Sequence, residues 1–234
     1  MTISIIIPAY NEAHFLDKAL QEVLDIQEFN EVIVINDGSK DNTKTILDVW
    51  AQKIEYRDRL LVINHEINKG KGGALQTGFK AAKGDYLAIH DADLEYDPID
   101  ILHMYKVALK DNSDLVIGSR FLGGKPQRIS YYLNKVANKL LTFSMNVLYN
   151  KTFTDVYCCH KLFKKRLLEG YTIDTRGFEV DAEFLSKMIK YHNPRVIEVP
   201  SSYFGRTYEE GKKIKWLDFF QVIFQMVKVR MSSK

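Results

Sequence analysis

The sequence predicts an α/β fold with a mostly parallel central sheet flanked by helices. Three observations predict it. Short runs of Ile, Val and Leu recur without alternating with polar residues, helical stripes fill the gaps between the early runs, and polar clusters stand directly after three of them. Uninterrupted apolar runs suit strands covered on both faces. Strand and helix in alternation suit parallel strands joined by right-handed crossovers. Such sheets bind ligands at the carboxyl ends of their strands, so the polar clusters are where chemistry is expected.

The predicted strands are Ile3–Ile7, Val32–Ile35, Leu60–Ile63, Tyr86–Ile89, Leu115–Ile117 and Val196–Val199. Phe15, Leu16, Ala19, Leu20, Val23 and Leu24 form the first helical stripe. Ile46, Leu47 and Trp50 form the second, with Ser39 expected as its cap. Asp97-Pro98 reads as the cap and first turn of a helix carrying Ile101, Leu102, Tyr105 and Leu109. After about residue 120 the rhythm changes. A basic, turn-rich loop, GGKPQR, precedes Ile129, Leu133, Val136, Leu140, Phe143 and Val147, spaced as one face of an amphipathic helix. A second amphipathic helix closes the chain with Trp216, Phe219, Phe220, Ile223, Phe224 and Val227, flanked by Lys212, Lys213, Lys215, Lys228 and Arg230. The expected division is one domain over 1–211, including the loop and helix of 123–149, and a basic amphipathic helix over 212–234.

Composition sets limits. The 234 residues, 46% hydrophobic and 27% charged, make an ordinary globular mixture rather than a disordered one. A net charge of +3 and an isoelectric point near 8.6 fall short of a nucleic-acid-binding domain. The two cysteines, Cys158 and Cys159, are adjacent and lack zinc-ligand spacing, which points to packing in a reducing compartment. The first residues carry no positive region before their apolar run, and no stretch of about 18 apolar residues occurs. A cytoplasmic protein, attached at most peripherally to a membrane, is expected.

Three strand ends carry the candidate chemistry: Pro8-Ala9-Tyr10-Asn11-Glu12, Asn36-Asp37-Gly38-Ser39 and Asp91-Ala92-Asp93. Asp-Gly-Ser alone is usually a turn and helix cap. The run DYLAIHDADLEYDP (85–98) is more telling, because it sets Asp91, Asp93 and Glu95 on alternate positions at a strand end. Clustered carboxylates repel unless a proton or cation relieves them. In an extended segment alternate residues share one side, so the three would face one ion; a solvated acidic turn is the other reading. Gly70, Gly72, Gly73 and Gly78 fit neither a dinucleotide fingerprint nor a Walker loop. They read as backbone kept close to a ligand, with Lys71 either on phosphate or at a flexible helix entry. The histidines show no metal spacing, and His90 should point away from the acidic pair.

Together these motifs resemble the family 2 glycosyltransferases of the GT-A fold, a Rossmann-like α/β architecture. The resemblance is strongest to the polyprenyl-phosphate hexosyltransferases, such as dolichyl-phosphate mannose and glucose synthases. It rests on IIIPAYNE (5–12), VINDGSKDNT (34–43), NKGKGGALQTGFKAAKGDYLAIHDADLEYDP (68–98), DLVIGSRF (114–121), TDVYCCHKLFKKRLL (154–168), GFEVDAEF (177–184) and EVPSSYFGRTYEEGKKI (198–214). It implies that Pro8, Tyr10, Glu12 and Asp37 hold the nucleoside, and that Asp91-Ala92-Asp93 is the family's Asp-x-Asp. Asp91 and Asp93 would then hold Mg²⁺ or Mn²⁺ on the donor diphosphate, with Glu95 completing the shell where relatives often carry Gln. It also implies that Arg120 meets an acceptor phosphate, while Arg206 and Lys212 close over the diphosphate. Asn36 stands where many relatives have a second Asp, which leaves base recognition to Asp37. A hard cation suits this chemistry, because the leaving diphosphate develops charge as the glycosidic bond breaks.

The expected activity is inverting, metal-dependent transfer of a hexose from a UDP- or GDP-sugar to a polyprenyl phosphate at a membrane surface. One alternative is a sugar or lipid hydroxyl acceptor, and one of another class is a sugar-phosphate nucleotidyltransferase. A hydroxyl acceptor needs a carboxylate base, for which Glu179, Asp181 and Glu183 are candidates. A phosphate acceptor needs cations, and Arg120, Lys125, Arg128, Lys135 and Lys139 have no other evident role in the sequence. The two amphipathic stripes would lie on the membrane; packing on the domain or in a homo-oligomer is the competing expectation.

Overall fold

Each predicted apolar run forms a strand: β1 (Ile3–Ala9), β2 (Glu31–Asn36), β3 (Leu60–Asn64), β4 (Tyr86–Ile89), β5 (Leu115–Ser119) and β7 (Val196–Pro200). The sequence reading missed β6 (Lys161–Lys164), four residues whose apolar pair is bracketed by lysines. The computed structural model describes residues 1–129, 131–170, 172–177, 179–206 and 216–232, without the side chains of 216–218. The strands join in one sheet, ordered β3-β2-β1-β4-β6-β5-β7. Every pairing is parallel except those of β6, which runs antiparallel to β4 and β5.

The period of two along the strands divides the core between the two faces. Ile5 and Ile7 of β1 join Val32 and Val34 of β2 beneath α1 (Leu16–Leu24), α2 (Thr43–Gln52) and α4 (Ile99–Asp111). Ile6, Ile33 and Ile35 face the other way, against α3 (Gly70–Ala81) and α6 (Val180–His192), with Phe79 and Phe184 stacked and Phe163 edge-on to both between them. Helix α3 contains the glycine-rich stretch, and Gly78 lies on Ile6 and Ile35 where a Cβ would clash. Asp97 does accept the Ile99 N–H, at 2.9 Å. Ser39 is not a cap: α2 begins at Thr43, and the Ser39 hydroxyl instead accepts the Asn11 N–H from the β1 loop.

The two late helices form where the sequence predicts them and differ in what their apolar stripes meet. Helix α5 (Tyr132–Tyr149) buries Asn138, Leu141, Thr142, Met145 and Tyr149. Its predicted apolar stripe faces outward, with Leu133 78% and Phe143 66% exposed. Helix α7 (Trp216–Met231) packs along α5 and α6 through Val222, Met226 and Val229, leaving Phe220 and Phe224 exposed. Lys212, Lys213 and Lys215 lie outside the described residues. No helix among the described residues is long and apolar enough to cross a membrane.

Candidate active site

Strand order reverses at β1, with β2 and β3 laid down on one side of it and β4 on the other, and a cavity of about 300 Å³ opens at the carboxyl ends of β1 and β4. Pro8, Tyr10 and Glu12 enter it from β1, Asp37 from β2, and Lys71 from the first turn of α3. Asp91, Ala92, Asp93 and Glu95 follow β4, Arg120 follows β5, Asp181 comes from α6 and Arg206 from beyond β7. The sheet thus assembles residues spread over almost 200 positions.

On the β1–β2 side the loops are tied together before any ligand arrives. Asn11, in left-handed backbone, accepts the Lys40 N–H at 2.8 Å, and the Glu12 N–H reaches Thr43 at 3.0 Å. Asp37 is nearly buried and shares one carboxylate oxygen between His65 Nδ1, at 2.7 Å, and the Lys69 N–H, at 2.9 Å. His65 is held in turn by Thr77 at 2.9 Å. A histidine with no metal spacing therefore orients the carboxylate expected to read the base. Asn36 faces away from the cavity and bonds Asn64 and the Ser39 N–H.

Cations and carboxylates alternate across the floor. Lys161 of β6 is wholly buried and donates to Asp181 at 2.9 Å. Asp181 lies 3.5 Å from Lys71, which donates to Asp91 at 3.1 Å. Burial alone would raise the carboxyls of Asp181 and Asp91, but the lysine charges outweigh it and hold both below the usual range. Arg206 serves the opposite wall, 2.9 Å from Asp93, 3.3 Å from Glu95 and 3.5 Å from Glu12. Arg120 grips Asp155 with two donors, at 2.7 and 2.9 Å, and its guanidinium lies over the Tyr203 ring.

Glu179, Glu183, Lys125, Arg128, Lys135 and Lys139, all candidates from the sequence, do not line this cavity. Glu179 lies outside it, accepting the Gly177 N–H at the start of α6. Lys212 lies outside the described residues. Glu183 neither caps nor meets solvent; it is buried and receives the N–H groups of Asp174 and Thr175, both at 2.9 Å. The glycines keep close company with protein rather than ligand: a Cβ on Gly70 or Gly72 would strike the carbonyls of Arg176 or Thr175. Lys125, expected to be uncommitted, pairs with buried Asp100 at 3.0 Å.

Residues 4–172 match the model of glycosyl transferase family 2. The chain belongs to that family. It is 30% identical over 218 residues to dolichol-phosphate mannosyltransferase of Pyrococcus furiosus, covering 91% of this chain but 59% of that protein, so it spans about three fifths of that relative's length. It is 27% identical to UDP-N-acetylglucosamine–dolichyl-phosphate N-acetylglucosaminyltransferase of Methanococcus voltae, covering 99% of this chain and 97% of that one. Glucosyl-3-phosphoglycerate synthase of Mycobacterium tuberculosis, solved with Mn²⁺, UDP and phosphoglyceric acid, superposes with a TM-score of 0.73. It is 17% identical and is matched over 100% of this chain and 80% of that one, so it shows the fold, which is GT-A. The same synthase has been solved with Mg²⁺ and UDP.

For this family 2 glycosyltransferase the fit of a divalent cation can be tested on its own carboxylates. Burial, with the charges of Asp91 and Glu95, lifts the Asp93 carboxyl to about 7 even beside Arg206. The wall therefore carries more negative charge than one guanidinium relieves, and its donors are the hard oxygens that Mg²⁺ and Mn²⁺ take. Asp91 and Asp93 fit such an ion. The third expected ligand does not join them: among the described residues no three of His, Cys, Asp and Glu form a metal-holding group. Strand β4 ends at Ile89, and Leu94 adopts φ 59°, so residues 91–95 form a turn in which the period of two is lost. Glu95 consequently turns to the Arg206 N–H at 2.8 Å and the Tyr203 hydroxyl at 3.1 Å.

Sequence reasoning also missed Tyr96, Tyr157, Cys159, Arg176 and Tyr203, all of which line the cavity. Burial first, then the nearby Asp91 charge, pushes the Cys159 thiol well above its ordinary range, which suits a packing role rather than a nucleophile. His90 is buried and paired with His160 at 2.9 Å, away from the acidic pair as expected.

Proposed function

We propose that the protein is a metal-dependent, inverting hexosyltransferase that moves a sugar from a UDP- or GDP-sugar to a polyprenyl phosphate at a membrane surface. The observation that carries the acceptor class is the state of the carboxylates in 179–183. A hydroxyl acceptor needs a free base within hydrogen-bond reach. Asp181 is held by two lysines, Glu183 is buried under Lys187, and Glu179 lies outside the cavity. A phosphate acceptor is already an anionic nucleophile and needs none of them. The relatives named for dolichol-phosphate and dolichyl-phosphate transfer support the same class.

In this reading Asp37, set by His65, faces the nucleoside, and Lys71 and Arg206 face the diphosphate. Mg²⁺ or Mn²⁺ held by Asp91 and Asp93 would supply charge neutralisation at the diphosphate. Arg120, stiffened by Asp155 and Tyr203, orients the acceptor phosphate. One oxygen of that phosphate bonds to the anomeric carbon as the carbon–oxygen bond to the diphosphate breaks on the opposite side. The bonding pair leaves with the nucleoside diphosphate, where the cations meet it. The exposed stripe of α5, with Lys135 and Lys139 beside it, supports placement on an anionic lipid surface.

The test incubates the protein with UDP- and GDP-hexoses and a polyprenyl phosphate on anionic vesicles, with Mn²⁺ or with EDTA. Release of nucleoside diphosphate, glycosylated lipid phosphate, dependence on the metal and co-flotation with the vesicles are the expected results. Pyrophosphate release, or transfer to hydroxyls while lipid phosphate stays inert, would refute the reading.

A further inference from the structure

The cavity is lined by six carboxylates and four cations, namely Lys71, Arg120, Arg176 and Arg206. Three of these cations are already held: Lys71 by Asp91 and Asp181, Arg120 by Asp155, and Arg206 by Glu12, Asp93 and Glu95. Arg176 is the exception. It has no ion pair among the described residues, and its side chain is exposed at the cavity wall. A guanidinium without a carboxylate partner among the described residues, in a cavity where carboxylates outnumber cations, is available to an anion that enters.

The backbone that carries it is firmly built. Residues 172–176 cross the first turn of α3, where the Gly72 N–H donates to the Arg176 carbonyl at 3.4 Å and the Gln76 side chain donates to the Ile173 carbonyl. Glu183 takes the N–H groups of Asp174 and Thr175, and Lys187 donates to the Thr172 carbonyl at 2.6 Å and to Asp174 at 2.9 Å. A wholly buried carboxylate fixing two consecutive N–H groups is a costly arrangement for a loop whose only role is connection. The absence of side chains at Gly70 and Gly72 is what allows the crossing at all. The neighbouring Lys71 lies in the same turn, so the crossing sets one committed and one uncommitted cation side by side at the cavity wall.

We propose that Arg176 is a phosphate-binding residue of this site, presented by the Glu183-anchored segment to a phosphate of the bound substrates. The inference rests on the glycosyltransferase reading above, and both the donor diphosphate and the acceptor phosphate offer the chemistry it recognises. Among the described residues Arg176 forms no ion pair, so Arg176→Ala is expected to leave the folded state about as stable as before.

The test compares wild type, Arg176→Ala and Arg176→Lys by calorimetry with UDP and GDP in Mn²⁺, and separately with farnesyl phosphate, after melting curves confirm equal stability. Arg176→Ala should weaken one probe about tenfold or more, as loss of a hydrogen bond to a charged group does, with Arg176→Lys intermediate. Weakening confined to the nucleotides assigns Arg176 to the donor, and weakening confined to farnesyl phosphate assigns it to the acceptor. Wild type that binds while Arg176→Ala binds equally well overturns this inference alone. Wild type that binds neither probe overturns the proposed function and this inference with it.

Discussion

Lys161→Met tests the alternating charges beneath the cavity. The ammonium is wholly buried, 2.9 Å from Asp181 and 2.5 Å from the Cys158 carbonyl. Methionine nearly preserves the side chain's length and removes its charge. Asp181 would keep only Lys71, at 3.5 Å, while remaining buried. Breaking a buried pair by removing one partner costs about 3–5 kcal/mol, because the other charge is left uncompensated. For a chain of this size each kcal/mol moves the melting temperature by roughly 2–4 °C, so a fall of roughly 6–20 °C is expected. Thermal unfolding followed by far-ultraviolet circular dichroism at neutral pH reads it. Lys161→Met with Asp181→Asn removes the orphaned charge and should recover more than half of the loss, a coupling that a double-mutant cycle isolates. A fall under about 3 °C for the single variant, or strict additivity in the double, would show that Lys161 does not sustain Asp181.

Two further outcomes follow from close contacts. Gly72→Ala places a methyl on the Thr175 carbonyl, so the 172–176 crossing must shift; nucleotide affinity should fall by more than tenfold, whereas Gly123→Ala, which meets no neighbour and strains only its own left-handed backbone outside the cavity, should spare affinity, both read by calorimetry with GDP and UDP. Burial alone would raise Asp155, but Arg120 and several hydrogen bonds outweigh it and depress its folded-state pKa. Its contribution is therefore complete above the unfolded value of about 3.9 and is lost as pH falls through the lower folded value. Asp155→Asn should be less stable than wild type in urea at pH 6 and should approach it at pH 3; a gap that stays constant would refute the pairing.

The sheet was legible because both-face burial leaves an unbroken apolar signature, and that signature requires no knowledge of partners. β6 was illegible for the converse reason. Lys161 is a charged residue at full burial, tolerated because Asp181 reaches it from a helix twenty positions away, and no local pattern announces such a pair. The amphipathic period located α5 and α7 but left open whether the protein or a membrane covers each stripe. On α5 the packed face is partly polar, Asn138 and Thr142 bonding to each other and to Asp155 and Val156, while the apolar stripe faces outward. Hydrophobicity marks a face that must be covered, and here the protein covers the other one.

The site divides along the same line. Residues placed directly after a parallel strand were found, since strand ends share one edge whatever the rest of the chain does. Residues that act through a tertiary partner were not, His65 through Asp37 and Lys161 through Asp181, while Glu183 was named as a base rather than as the anchor of the 172–176 backbone. The expected ligand triad failed for a local reason, the left-handed backbone at Leu94 that ends the alternation after Asp93 and hands Glu95 to Arg206. That failure is informative about charge. With Glu95 and Glu12 engaging Arg206 together, two carboxylates hold the guanidinium against a third, Asp93, the residue proposed to take a divalent ion. Under the proposed function an ion and a diphosphate would compete with Arg206 for Asp93 while offering it phosphate oxygens in exchange, so one residue would balance these carboxylates first and the donor afterwards.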